Sequence, residues 1–394
     1  MGRLAAWGLG GADSDAGLHK EARNGAIDAL RGWAVLSVVL LHINIRVPFA
    51  SCALGQSLPK PLSKFLFWSG YHAVMVFFVV SGFLITRLSL ERWGRLERID
   101  VRAFYRLRFA RIAPMLALFV VVQSVLQTAQ VTGFSDEKPV ASLATTLFAV
   151  LTFRVNWLEA KLGYLPGAWD VLWSLSVEEL FYLAFPLVAR IVRPWPALIA
   201  LLLALIAIGP FARVSSSANE MWRDHSYLSC MGEIAVGCLA AWISARRKSS
   251  PAEAKALFVV GVALMSLVLL FRPIVRALGL YEVGLDVTVL SFGTAAVLVA
   301  CSAPSGWGRS LARAPFAPLR WFGRNSYEVY LSHLFLILPA TALWKRVGVA
   351  PFTPLFYLGI LLGSGLLGAW LSNGYSRPLS QSLRTSPARA PLVD

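Results

Sequence analysis

Two side chains that water would hold readily sit inside an apolar run near the start of the chain: Arg31 and His42. They lie 11 residues apart. At 3.6 residues per turn this is close to three full turns, so both project from one helix face, about 16 Å apart along the axis. A charged side chain in a hydrocarbon segment costs roughly 2.5–3.5 kcal/mol on insertion scales and usually lines a functional cavity. Asp28 stands one turn before Arg31 on the same side, where an Asp–Arg pair lowers that cost. Taken singly, His42 reads equally as a histidine bonded to a neighbouring helix, and Arg31 as a residue snorkelling to the membrane surface. Their shared face favours a common polar cleft.

Other groups of the same kind recur downstream. Glu178 and Glu179 are adjacent, so on a helix they point about 100° apart, and one of them at most faces a given cavity well. Such a carboxylate can orient or polarise a reacting group. Tyr330 and His333 share a face one turn apart, while Glu233 and Asp286 sit in apolar stretches with no role beyond lining a polar interior. Ser81-Gly82 interrupts a run of large apolar residues and permits either close helix approach or access of a ligand to the backbone. A basic cluster runs through Arg87, Arg92, Arg95, Arg98, Arg102, Arg106, Arg108 and Arg111. It is a topology signal, and it also suits a polyphosphate ligand, because guanidinium groups bind phosphate bidentately.

The elements that must carry these groups are membrane helices. Of 394 residues, 57% are hydrophobic and 15% charged, which argues against a disordered chain or a soluble enzyme. About 20 mostly apolar residues make a span, and candidates fall at 27–47, 71–88, 112–131, 172–189, 197–212, 226–244, 256–271, 283–301, 325–344 and 353–372. The stretch 142–158 carries Arg154, Asn156 and Trp157. Leaving it uncrossed puts most Lys and Arg on one side, whereas letting it cross nearly equalises the two sides, so it is expected to be re-entrant or interfacial. The expected organisation is a cytoplasmic tail at 1–26, a ten-helix membrane domain at 27–372 and a cytoplasmic tail at 373–394. The net charge of +16 then reflects positive-inside bias and attraction to anionic headgroups, not nucleic acid. Cys52, Cys230, Cys238 and Cys301 show no metal-ligand spacing, so no metal is expected. The first 24 residues lack an apolar core, so no cleavable signal peptide is expected either.

Five strings occur in one order: Asp28-Ala29-Leu30-Arg31-Gly32 leading to His42; Phe77-Phe78-Val79-Val80-Ser81-Gly82-Phe83-Leu84; Arg108-Phe109-Ala110-Arg111-Ile112-Ala113-Pro114; Trp173 through Tyr182; and Asn325-Ser326-Tyr327 leading to Tyr330 and His333. Together they make the chain resemble the acyltransferase-3 family of membrane O-acyltransferases over residues 25–345. The resemblance implies a ten-helix core in a bacterial cytoplasmic membrane. It also implies transfer of an acyl group, most often acetyl from acetyl-CoA, to a hydroxyl. Family acceptors include surface polysaccharides, Nod-factor-like oligosaccharides, peptidoglycan and macrolide sugars. The arginine and histidine separated by ten residues are a hallmark, here Arg31 and His42; Ser81 to Leu84, Arg108 with Arg111, and Glu178 also match. The chain departs from the family pattern at Ala73-Val74-Met75, at Leu180 and at Ser332, positions that bear on the acceptor.

On this reading His42 is the general base, since an imidazole with an ordinary pKa near 6.5 suits proton abstraction at neutral pH. It could instead carry the acyl group, which would give ping-pong kinetics. Glu178 is expected to orient His42 or the acceptor. Arg31 is expected to hold the donor, with Ser81, Gly82, Tyr330 and His333 lining the site and Arg102, Arg106, Arg108 and Arg111 on the CoA phosphates. Acyl-CoA is a substrate here, and no permanently bound cofactor is expected. The rivals are acylation of a secondary-metabolite sugar and a non-enzymatic transporter; the absence of duplicated halves weighs against the latter. The acceptor, the acyl length and the oligomeric state stay open.

Overall fold

A computed structural model describes residues 25–136, 139–192, 195–216, 218–303 and 314–385. Most of the expected N-terminal tail, and the chain beyond Thr385, lie outside these residues. Fourteen helices matter for the argument: α1 (Gly25–Asn44), α2 (Gly70–Trp93), α3 (Val101–Thr128), α4 (Leu143–Leu151), α5 (Val155–Leu162), α6 (Leu172–Ile191), α7 (Trp195–Ser215), α8 (Tyr227–Arg246), α9 (Pro251–Leu270), α10 (Asp286–Ser302), α11 (Ala317–Arg324), α12 (Ser326–Val347), α13 (Thr353–Leu371) and α14 (Arg377–Thr385). Among the described residues an isolated bridge from Thr132 to Ser135 is the nearest approach to a sheet. The protein is a polytopic all-α membrane bundle.

Among the described residues, eight helical segments are long and apolar enough to cross a membrane. They are built on α1, α2, α3, α6, α7, α8, α9 and α13. Two more of the expected spans coincide with α10, an apolar helix of 17 residues, and with α12, of 22 residues. Helix α12 holds Glu328, His333, Lys345 and Arg346, the polar load that dilutes its apolar character.

The stretch at 142–158 divides into α4 and α5, of nine and eight residues. At 1.5 Å per residue each covers well under half of a ~30 Å hydrocarbon core. The break falls at Phe153, whose φ of 55° no helix tolerates. Polar bonds then tie α5 to protein. Ser176 Oγ accepts from the Val155 amide at 3.2 Å, and the buried Asn156 donates to the His225 carbonyl at 2.9 Å. Glu159 is fully enclosed, and burial beside Asp170 pushes its carboxyl well above the usual range.

Close helix crossings set the geometry of the centre. A Cβ on Gly82 of α2 would stand 1.9 Å from the Ile234 carbonyl oxygen of α8, and one on Gly237 of α8 would stand 2.0 Å from that of Val79. The two backbones touch because neither glycine has a side chain. Ser81-Gly82 thus divides its labour: the glycine makes room for α8, and the serine turns the other way. Gly82→Ala is expected to force α2 and α8 apart and to cost about 1–3 kcal/mol, as overpacking does. A drop in the thermal midpoint of the detergent-solubilised protein checks this, and an unchanged midpoint would show that the crossing gives way freely.

The segment expected as a tail from 373 does not leave the bundle at once. A π-helical turn, Ser372–Ser376, leads directly into α14, which packs along α3.

Candidate active site

Helices α1 and α12 bring the two histidines of the sequence motifs together. His42 Nδ1 lies 3.2 Å from His333 Nε2, with ring centroids 4.9 Å apart. His42 Nδ1 is also 2.9 Å from the Val38 carbonyl, and His333 Nδ1 is 2.6 Å from the Tyr330 carbonyl and 3.2 Å from that of Val329. A carbonyl can only accept, so each Nδ1 must carry the proton. His333 Nε2 is then a lone pair accepting from His42 Nδ1–H. Among the described residues His42 Nε2 is left as a lone pair with no hydrogen-bond donor on it, and the ring is half-buried. Two neutral imidazoles in series thus hold one basic nitrogen in a fixed orientation. Sequence reasoning placed His333 in the site without its contact to His42, because 291 residues separate them.

Tyr330 supports the pair through its backbone carbonyl. Its hydroxyl is engaged elsewhere, 2.6 Å from Ser174 Oγ and donating to the Val171 carbonyl at 3.0 Å. The turn that leads into α6 is held from its other side by α3. Trp169 Nε1 donates to Gln127 at 2.7 Å, and Gln123 accepts from the Ala168 amide at 3.2 Å.

Glu178 does not touch either histidine. Its Oε1 accepts from Ser81 Oγ at 2.7 Å and from the Tyr182 hydroxyl at 2.5 Å, with Arg108 at 3.8 Å. Arg108 also reaches Glu179 at 3.4 Å and lies 3.5 Å above the Tyr182 ring. The two adjacent carboxylates, expected to face different surroundings, therefore share one guanidinium. A long, forked side chain can straddle the 100° between them. Glu178, expected to orient His42 or the acceptor, is thus not in contact with His42; the side chain that meets the His42 ring is His333. Tyr182 was missed, although its i,i+4 spacing from Glu178 signals such a pair.

The expected four-arginine patch splits. At 100° per residue, Arg102 and Arg106 lie on one side of α3 and Arg108 and Arg111 on the other. Arg102 and Arg106 are exposed, whereas Arg108 and Arg111 face α6 and α12. Arg111 pairs with the fully buried Glu328 at 3.3 Å and lies 5.2 Å from the Tyr327 ring. The same Glu328 oxygen accepts from Ser376 Oγ at 2.6 Å. The charges around Arg31 are Arg111, Asp28, Glu328 and Glu178, so the expected Asp28 neighbour is one of several.

The arrangement has two poles. One gathers Arg31, Arg108, Arg111, Glu178 and Ser81, a mixed-charge surface able to hold an anion. The other, eleven residues further along α1, offers a single uncommitted imidazole nitrogen. Among the described residues, no three His, Cys, Asp or Glu side chains are grouped to hold a metal ion.

Known proteins share this chain's pattern. A family model described as an acyltransferase domain, that of the acyltransferase-3 family, matches residues 24–373. The chain is similar to the peptidoglycan O-acetyltransferase OatA of Listeria monocytogenes, with 26% identity over 80% of this chain and 50% of that one. It is similar to the putative peptidoglycan O-acetyltransferase YrhL of Bacillus subtilis, with 28% identity over 80% of this chain and 49% of the other. It is also similar to the O-acetyltransferase OatA of Staphylococcus aureus, with 24% identity over 79% and 50% respectively. The chain thus spans about half the length of the curated relatives it matches. No solved structure matches it. With a family match that runs from just before α1 to just beyond α13 and includes both poles, the chain belongs to the acyltransferase-3 family of membrane proteins.

Proposed function

We propose that the protein is a membrane O-acetyltransferase that moves an acetyl group from acetyl-CoA to a hydroxyl of a carbohydrate, in the class to which peptidoglycan belongs. The observation that carries the reading is the His42–His333 contact, which leaves one imidazole nitrogen unengaged at the far end of the helix that holds Arg31. The names of the relatives support the acetyl group and the glycan. The excess of basic residues at the Arg31 pole supports a cytoplasmic donor, with both termini on that side of the cytoplasmic membrane.

The donor's anionic part rests among the arginines and its thioester points toward His42. The acceptor hydroxyl approaches His42 Nε2 from the opposite end of the bundle. As its oxygen attacks the thioester carbonyl, Nε2 takes the hydroxyl proton, and His333 keeps the ring from turning. The tetrahedral intermediate collapses with cleavage of the carbon–sulfur bond. The departing thiolate recovers the proton from the imidazolium, so no charge is left behind.

Protein reconstituted in nanodiscs with labelled acetyl-CoA and isolated glycan strands is expected to move label to the glycan and to release CoA in equal amount. Thioester that stays intact with every glycan and free sugar offered would end this reading and favour a transporter. Label on a macrolide sugar alone would move the acceptor to secondary metabolites.

A further inference from the structure

From His42, side-chain and ring contacts lead outward to two loops at the same end of the bundle. His333 meets His42, and the Tyr330 carbonyl accepts from His333 Nδ1. The Tyr330 hydroxyl donates to the Val171 carbonyl at the turn into α6. Trp173, two residues on, stacks on His225 with ring centroids 3.9 Å apart. His225 closes the short helix Glu220–His225, and its carbonyl accepts from Asn156 of α5. Helix α5 and the short helix therefore lie at the His42 end of the bundle, opposite the Arg31 pole.

Between these two helices is a cleft of about 250 Å³, lined by Trp157, Ala160, Lys161, Asn219 and Trp222. Pockets that enclose a whole drug-sized molecule are larger, and this one suits a single ring of a longer chain. Asn219 ties its two walls together. Its Nδ2 donates to the Ala160 carbonyl at 2.8 Å, and its Oδ1 accepts from the Trp222 amide at 2.9 Å. The Trp157 ring holds two cations, Lys161 Nζ at 3.8 Å and the Arg154 guanidinium at 4.4 Å from its centroid. Among the described residues neither cation joins an ion pair. Nor, among them, does a cation cover the half-buried Trp222 ring. Anchoring at the lipid headgroups accounts for a single Trp. It does not account for two lining one tied gap beside a cation that lacks a carboxylate.

We propose that this cleft is an acceptor subsite for an acidic glycan: one sugar ring rests on Trp222, and a carboxylate of the glycan meets Lys161, which Trp157 holds in place. An indole offers a large apolar face, against which the C–H face of a pyranose can lie. The ammonium group supplies a charge-assisted bond to the carboxylate. The inference deepens the acetyltransferase reading above and rests on it for the glycan's being the acceptor.

The test uses the full chain in nanodiscs of phosphatidylcholine. The probes are tri-galacturonate and its methyl ester, which share their rings and differ in charge, with acetyl-CoA as the control ligand. Wild type is expected to bind the acid more tightly than the ester. Trp222→Ala should weaken both roughly 10- to 100-fold, as loss of a central aromatic contact does. Lys161→Ala should weaken the acid alone, roughly 2- to 5-fold, as loss of an exposed ion pair does, and Lys161→Arg should keep the preference. Acetyl-CoA binding should hold in all three variants. Should Trp222→Ala melt at a lower temperature, Lys161→Ala, at an exposed position, decides. Equal binding of acid and ester overturns the proposal, as does a preference that survives Lys161→Ala or a wild type that binds neither probe. Glycan binding that folded Trp222→Ala leaves unchanged overturns it too, and leaves the acetyltransferase reading standing. Binding with the expected dependence on Trp222 and Lys161, but without transfer of labelled acetyl to any glycan offered, keeps the cleft and ends the acetyltransferase reading.

Discussion

His42→Ala protein is expected to transfer acetyl groups about 10²–10⁴ times more slowly than wild type, the usual contribution of a positioned general base. Its apparent affinity for acetyl-CoA should hold, because Arg31 lies eleven residues away along α1, Arg108 and Arg111 stand on α3, and none of the three bonds to the imidazole ring. His333→Ala should fall less far, since it removes the acceptor for His42 Nδ1–H and leaves Val38 to hold the proton. The double variant should match His42→Ala alone, because residues that act as one unit do not contribute additively. Initial rates with labelled donor decide the matter, with thermal midpoints confirming that each variant is folded. Turnover of the wild-type order in folded His42→Ala would remove the imidazole from the mechanism. Acid-quenched wild-type protein should carry no label if transfer is direct, whereas label on His42 would make the histidine an acyl carrier.

Much of this site is legible in the sequence because the membrane makes polar groups conspicuous. Arg31 and His42 stand out against their apolar neighbours, and helical arithmetic alone places them on one face. The ten expected spans coincide with helices for the same local reason. What sequence spacing along one helix does not carry is contact between helices. His333 meets His42 and Ser376 meets Glu328 across gaps of 291 and 48 residues, and nothing in either neighbourhood announces the other. The arginine cluster shows a different limit. Read as a line it is one patch, yet winding it at 100° per residue sends Arg102 and Arg106 away from Arg108 and Arg111. The break at Phe153 has no signal at all, since a bulky aromatic is among the residues least expected at positive φ.

The largest effect on stability is expected at a pair far from these motifs. Arg213 and Glu233 are 1% and 2% exposed, and their charged groups meet at 2.8 Å between α7 and α8. Arg213 also donates to the carbonyls of Ser229 and, at 3.2 Å, Gly284. Sequence reasoning ended the fifth span before Arg213 and placed Glu233 inside the sixth; the structure extends α7 to Ser215 and buries both. Removing one partner strands the other charge where neither water nor lipid can solvate it. Glu233→Leu should therefore cost about 3–5 kcal/mol. Arg213→Met with Glu233→Leu should recover most of that loss, because the apolar pair has no ion to desolvate. The residual cost is that of the unpaired Gly284 carbonyl, about 1–3 kcal/mol. Glu233→Gln, which keeps an acceptor, should fall between wild type and Glu233→Leu. Thermal midpoints of the four solubilised proteins give the ordering. A double variant no more stable than Glu233→Leu would show that the two charges are held independently of each other, and the account of a single buried ion pair would have to be abandoned.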